Sequence, residues 1–183
     1  MKKNIVQDGD PVLRAVAKPV AKKDIGTRKL ASVISHMKDL LKKEQHGVAI
    51  AAPQIGESLR MFLISSRAFD WDADAGEKAP SDMVLINPEL VRVSRKKREM
   101  AEGCLSVREV YGTVLRHERA SIKAQDEKGK PFIYHGSELI AHIFQHEMDH
   151  LDGILYTDKA IKLEDWKEKD NLRAAYSPGK KLK

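Results

Sequence analysis

Between residues 27 and 45 the apolar positions Leu30, Val33, Ile34, Met37, Leu40 and Leu41 recur at the spacing of one helix face. Gly47 stands just past the end of this pattern. It predicts an amphipathic helix packed on a core, with no chemistry of its own. His36 and His46, on or near it, read as surface or capping residues. Upstream, Pro11, Pro19 and Gly26 divide the first 26 residues into turns. Downstream, short β-like runs follow at residues 60–64, 83–86 and 89–93. The polar stretch 68–82 between the first two reads as a long surface loop.

Alternation at 121–125 and 131–134, on either side of a Gly129-containing turn, predicts a hairpin. A second helix is expected over 137–150, with Ser137 as N-cap and Gly153 beyond its end. On it Leu139, Ile143, His146 and His150 fall on one stripe. A strongly charged helix is expected over 164–175, before a loose Ser177-Pro178-Gly179 end. Strands bracketed by helices predict an α+β fold, with small antiparallel or mixed sheets packed around the second helix. The 183 residues fit one domain, with a charged helix or tail from about 160.

Composition narrows the class. The chain is 42% hydrophobic and 33% charged, and no stretch approaches the ~20 apolar residues of a membrane span. The basic start lacks the apolar segment of a secretory signal. A single cysteine precludes an internal disulfide and suits a reducing compartment, so the expected location is cytoplasmic. The formal charge of +6 is concentrated at Arg95-Lys96-Lys97-Arg98 and in residues 159–183. Such a surface could rest on RNA or a ribosome, although from charge alone a solvated face plus a frayed tail is the favoured reading. No zinc-finger pair, phosphate loop or RNA-reading aromatic motif accompanies it, so sequence-specific nucleic-acid binding is not expected.

The sharpest chemical signal is His146-Glu147-Met148-Asp149-His150. Residues four apart share a helix face, so both imidazoles can bind one metal ion, with Glu147 beside its water. Two partly buried histidines on an ordinary helix are the bland alternative, and the complete pattern outweighs it. A catalytic site of this kind needs a third protein ligand and an open fourth position. A metzincin-like reading would put that ligand at residue 156, but Tyr156 stands there. A thermolysin-like reading would use a downstream acid, Glu164 or Glu168, neither within a supporting motif. The remaining candidate is the sole cysteine, Cys104, in Ala101-Glu102-Gly103-Cys104-Leu105-Ser106. A lone cysteine is more often a small buried hydrophobe. Beside the histidine pattern, the thiolate is the favoured ligand, with Gly103 allowing close approach. A third segment, Gly47-Val48-Ala49-Ile50-Ala51-Ala52-Pro53-Gln54, could form a wall for a substrate backbone. Gln54 could offer an amide N–H to an oxyanion.

Together these segments resemble the peptide deformylase family. Its motifs are Gly-x-Gly-x-Ala-Ala-x-Gln, Glu-Gly-Cys-Leu-Ser and a glutamine followed by His-Glu-x-x-His. The chain carries the second and third in full and in order, with Gln145 before the last. The likeness extends from near residue 5 to about residue 158, including Gln7-Asp8-Gly9-Asp10-Pro11 and Ile86-Asn87-Pro88-Glu89. It departs at Ala49, in place of the second glycine of the first motif, where an added methyl could narrow the groove. It departs also at Arg108, where proline is frequent, and at Tyr111, where some bacterial members carry a substrate-contacting arginine; Arg116 fits the usual pattern.

The resemblance implies hydrolysis of N-formylmethionyl nascent peptides to formate and a free amino terminus. It implies one divalent metal on Cys104, His146 and His150, Fe2+ in the cell, with Zn2+, Ni2+ or Co2+ able to replace it. Glu147 would be the acid–base group, with Gln54 and the Leu105 backbone N–H as oxyanion donors. Gly47, Val48, Ala49 and Gly103 would border the peptide backbone, with His142 and Ile143 near the methionine pocket and Glu102 supporting the ligands. A ribosome contact through the basic tail is an associated expectation. Two rivals stand beside this reading: a metallopeptidase with the same metal and base, and a non-catalytic ribosome-associated binder.

Overall fold

The computed structural model describes residues 2, 4–71 and 81–165. Thr27 caps the first helix, α1 (Arg28–Lys43), its side chain accepting from Leu30 N at 3.3 Å. The six apolar residues of the expected stripe are all buried. Strands β1 (Ala49–Ala51), β2 (Met61–Ile64), β3 (Met83–Val93), β6 (Arg119–Gln125) and β7 (Pro131–Ser137) form an antiparallel sheet, with β1 and β7 at its edges. A second antiparallel sheet contains β4 (Lys97–Cys104), β5 (Val107–His117) and β8 (Lys162–Asp165) in that order. The second helix, α2, spans Glu138–Leu151.

Successive strand residues point to opposite faces. In β1 and β2, Ala49, Ala51, Phe62 and Ile64 join one core, with Ala141, Phe144 and Met148 of α2. Ile50, Met61 and Leu63 join another, with Met37 and Leu41 of α1. The larger sheet thus has a helix on each face. That is why β2 is apolar at every position: a strand covered on both sides has no polar face to show.

Several expectations change. The runs at 83–86 and 89–93 are one strand, bent where Asn87 has φ 51 and the register shifts between Ile86 and Glu89. The Asn87 amide exchanges bonds with the Val20 backbone, accepting at 2.8 Å and donating at 2.9 Å, and so ties the N-terminal segment to the bend. The supposed loop at 68–82 begins in a 3-10 helix, Ser66–Trp71, that buries Ala68 and Phe69; residues 72–80 lie outside the described residues. The hairpin at 121–134 forms. Ser137 occupies the N-cap of α2, but its side chain makes no capping bond. Glu164 and Asp165 lie in β8, not in a helix, and the rest of the charged segment falls outside the described residues. No helix among the described residues is long and apolar enough to cross a membrane.

Candidate metal centre

Helix α2 enters between the sheets, and even its polar residues His142, Gln145, Glu147, Asp149 and His150 are buried. One helical turn separates His146 from His150, leaving their ring centroids 5.0 Å apart at 81°. The end of β4 brings Cys104 to this face, with Sγ 3.2 Å from His150 Nε2. One donor atom each from Cys104, His146 and His150 lies within 4.8 Å of the others. Gly103 allows the strand this position because a Cβ there would meet Tyr111 Cε1 at 2.8 Å.

Glu102 organises the helix side. Its Oε1 accepts from His142 Nε2 and its Oε2 from His146 Nδ1, both at 2.7 Å. The His146 bond commits Nδ1 and leaves Nε2 to face the cluster. Arg116 grips the same carboxylate through Nε at 2.6 Å and Nη2 at 3.0 Å. Its Nη1 donates to Asp149 at 2.7 Å, and Lys159 donates to the other Asp149 oxygen at 2.6 Å. Burial alone would push Glu102 upward, but His142, His146 and Arg116 hold it well below the usual carboxylate range. Burial also pushes the Cys104 thiol up; His150 and His146 reverse this and bring it down to about 5. Burial lowers His146, yet Cys104 and Glu102 hold it well above an ordinary imidazole.

Glu147 is different. Burial raises it to about 7 despite the opposing imidazoles, and its Oε2 has no hydrogen-bond partner among the described residues. Gln54 turns its amide toward the cluster, with Nε2 3.5 Å from Cys104 Sγ and 3.1 Å from Ser106 Oγ. Its Oε1 is held by Ala51 N at 2.8 Å. Leu105 packs against the α1 core, and its carbonyl accepts from Gln7 at 3.1 Å.

Of the wall residues, Ala49 turns its methyl into the α2 core and is only 8% exposed. The added carbon is taken up by packing against that core. Ile143 lies in the same core. His142 is buried with Nε2 committed to Glu102 and Nδ1 without a partner among the described residues. Of the downstream ligand candidates, Glu164 does not join the cluster. Glu164 pairs in strand register with Tyr111 and bonds Lys162 at 3.0 Å, while Glu168 lies outside the described residues. Tyr156 instead stacks on His146, with centroids 6.1 Å apart, and donates its hydroxyl to Val110 O.

Ser106, Asp149 and Tyr156 join the site without a role assignable from the sequence, and Arg116 becomes a buried hub. Ser106 is fully buried; its N–H points at Cys104 Sγ from 3.4 Å. An acid inside the histidine motif together with an isolated arginine on an alternating strand was the available signal for the Asp149–Arg116 pair.

The family described as Polypeptide deformylase matches residues 2–166. A peptide deformylase of Heliobacterium modesticaldum is 40% identical over 157 residues, covering 85% of this chain and 91% of the relative. The crystal structure of peptide deformylase from Thermotoga maritima superposes with a TM-score of 0.74 at 33% identity, covering 88% of this chain and 99% of that one. A Met-Ala-Ser-bound class I type b peptide deformylase from Acinetobacter baumannii gives 0.76 at 30% identity, covering 87% and 98%. With these likenesses spanning sequence, fold and nearly the whole length of each relative, the chain belongs to the polypeptide deformylase family and is an enzyme of that hydrolase family.

Proposed function

We propose that the chain hydrolyses the N-formyl amide of formyl-methionyl peptides, releasing formate, with Cys104, His146 and His150 holding one divalent cation. The meeting of those three donors beside a Glu147 oxygen that has no hydrogen-bond partner among the described residues carries this reading. One thiolate and two imidazoles suit Fe2+, Zn2+, Ni2+ or Co2+ better than a hard, oxygen-seeking cation, and Fe2+ is the form proposed for the cell. When bound, the cation supplies a Lewis acid that polarises the formyl oxygen and acidifies water.

The remaining chemistry falls to the chain's own residues. Glu147 takes the proton of the attacking water and delivers it to the departing amine nitrogen. Its burial favours this exchange, because a carboxylate near neutrality both accepts and releases a proton readily. Gln54 Nε2 and the Leu105 N–H donate to the oxyanion. Glu102 orients His146, and Arg116 fixes Glu102. The peptide lies as an added strand on the β1 edge, bordered by Gly47, Val48, Ala49 and Gly103. His142 and Ile143 border the methionine side chain, His142 as a wall because its Nε2 is already engaged. The Met-Ala-Ser held by the Acinetobacter baumannii enzyme supports a peptide beginning with methionine.

The proposed site of action is the cytoplasm, where thiols stay reduced. Contact of the basic C-terminal segment with the ribosome belongs to the same reading and is supported by its charge. Anaerobically purified protein should release formate from formyl-Met-Ala-Ser in proportion to its bound metal. Cleavage of an internal peptide bond without formate would make it a peptidase, and neither reaction would leave a binder.

A further inference from the structure

Residues 44–48 connect α1 to β1, beginning where a helix leaves its last carbonyls without intrahelical donors. Arg67, in the 3-10 helix after β2, reaches back to this turn. Its Nη2 donates to Gly47 O at 2.7 Å and Leu41 O at 3.3 Å. Its Nη1 donates to Gln45 O, and both nitrogens to Glu44 O, each at 3.4 Å. Nε closes on Ser65 Oγ at 3.3 Å, while the Ser65 N–H takes Val48 O at 2.8 Å. A cation here complements the negative end of the helix. A planar fork spreads five donors over this ring of carbonyls, whereas a lysine ammonium offers three from a single point.

The same turn is the entrance to the proposed peptide strand. Gly47 packs so closely on the residue after Cys104 that a Cβ would lie 3.3 Å from Leu105 Cδ1. A displaced turn therefore disturbs both the β1 edge and its spacing from the metal side. Among the described residues, the hydrogen bonds of Arg67 go to the turn, the end of α1 and Ser65, and none to Cys104, His146, His150 or Glu147.

We infer that Arg67 is a positioning residue for the peptide-binding edge, fixing residues 47–49 and thereby how firmly the enzyme holds the part of its substrate beyond the formyl-methionine. This rests on the function proposed above. The edge can grip only a substrate long enough to lie along it, so the role separates long from short substrates.

The test compares the metal-loaded wild type, Arg67→Ala and Arg67→Lys on formyl-Met-Ala-Ser and on formyl-methionine amide, with melting temperature and metal content checked in parallel. For Arg67→Ala, the tripeptide KM should rise by about tenfold or more, as expected for misplaced positioning contacts, while kcat changes little. The amide KM should stay within about twofold, since that substrate ends before the contacts concerned. Arg67→Lys should recover only part of the loss. Hydrogen exchange at residues 45–49 should quicken in Arg67→Ala. Equal losses on both substrates, or unchanged exchange and KM, overturn the role of Arg67 alone. A metal-loaded wild type that releases formate from neither substrate overturns the proposed function and this inference with it.

Discussion

The two helices solve opposite problems. Helix α1 covers one face of the larger sheet and turns Lys29, Lys42 and Lys43 to water, so its apolar and charged residues separate cleanly. Helix α2 runs between two sheets and has almost no wet side, so its polar residues must find partners inside. Gln145 exchanges bonds with the His117 backbone, Asp149 takes Arg116 and Lys159, and His142 and His146 share Glu102. The contrast isolates what is left over. Among the described residues, three buried side-chain atoms are left without a partner, His142 Nδ1, Glu147 Oε2 and His150 Nδ1, and all three lie on this helix. Mutations in α1 should therefore register as stability and mutations in α2 as chemistry.

The strongest break of that contrast is Glu147→Gln, which keeps shape and removes basicity. Metal stoichiometry and peptide binding should persist while turnover falls by about 10²–10⁴ or more. His146→Ala should lose metal as well, which metal analysis separates from the first result. Near-normal formate release by Glu147→Gln would refute the proposed mechanism. Gln54→Leu comes next: turnover should drop by roughly 10²–10³ with metal content unchanged. Loss of metal or of folding in that variant would make Gln54 structural.

Glu102→Ala opens a buried ion pair and should cost about 3–5 kcal/mol by urea titration at neutral pH. The sign with pH is defined. A carboxylate held below its usual range stabilises the fold at neutral pH and loses that contribution as pH falls below the range. The gap between wild type and variant should narrow in acid, and a constant gap would contradict the network. Met37→Ala, at the fully buried centre of α1, should remove about 2–5 kcal/mol while turnover per folded molecule is kept. Arg108→Ala is the smallest. Its bond to Glu44 is 2.9 Å long, but Arg108 is 54% exposed, so the melting temperature should reflect less than about 1 kcal/mol.

The same contrast explains what the sequence could reveal. α1 was legible because one-sided packing leaves a periodic trace, and α2 because its histidine spacing is chemical. β4 and β5 went unread because their inward positions hold Glu102, Gly112 and Arg116, while Leu115 points outward at 50% exposure. Alternation fails as a signal when a strand's buried side chains are charged. Glu164 and Asp165, expected to open a helix over 164–175, end β8 instead, because charges typical of a surface helix hide its long-range pairing with β5. Cys104, His146 and His150 stand out from motif and resemblance together, and the fold brings their donor atoms within 4.8 Å of one another. The Arg116 hub needed coordinates, since its partners lie 14 and 33 residues away.

The length of β1 carries one more consequence. Three residues at the open edge of a sheet span only about 10 Å of extended chain. On the function proposed here, such a ledge inspects the opening residues of a polypeptide and is blind to everything behind them. One enzyme can then serve chains of every later sequence, and its generality is a matter of how little of each client it touches.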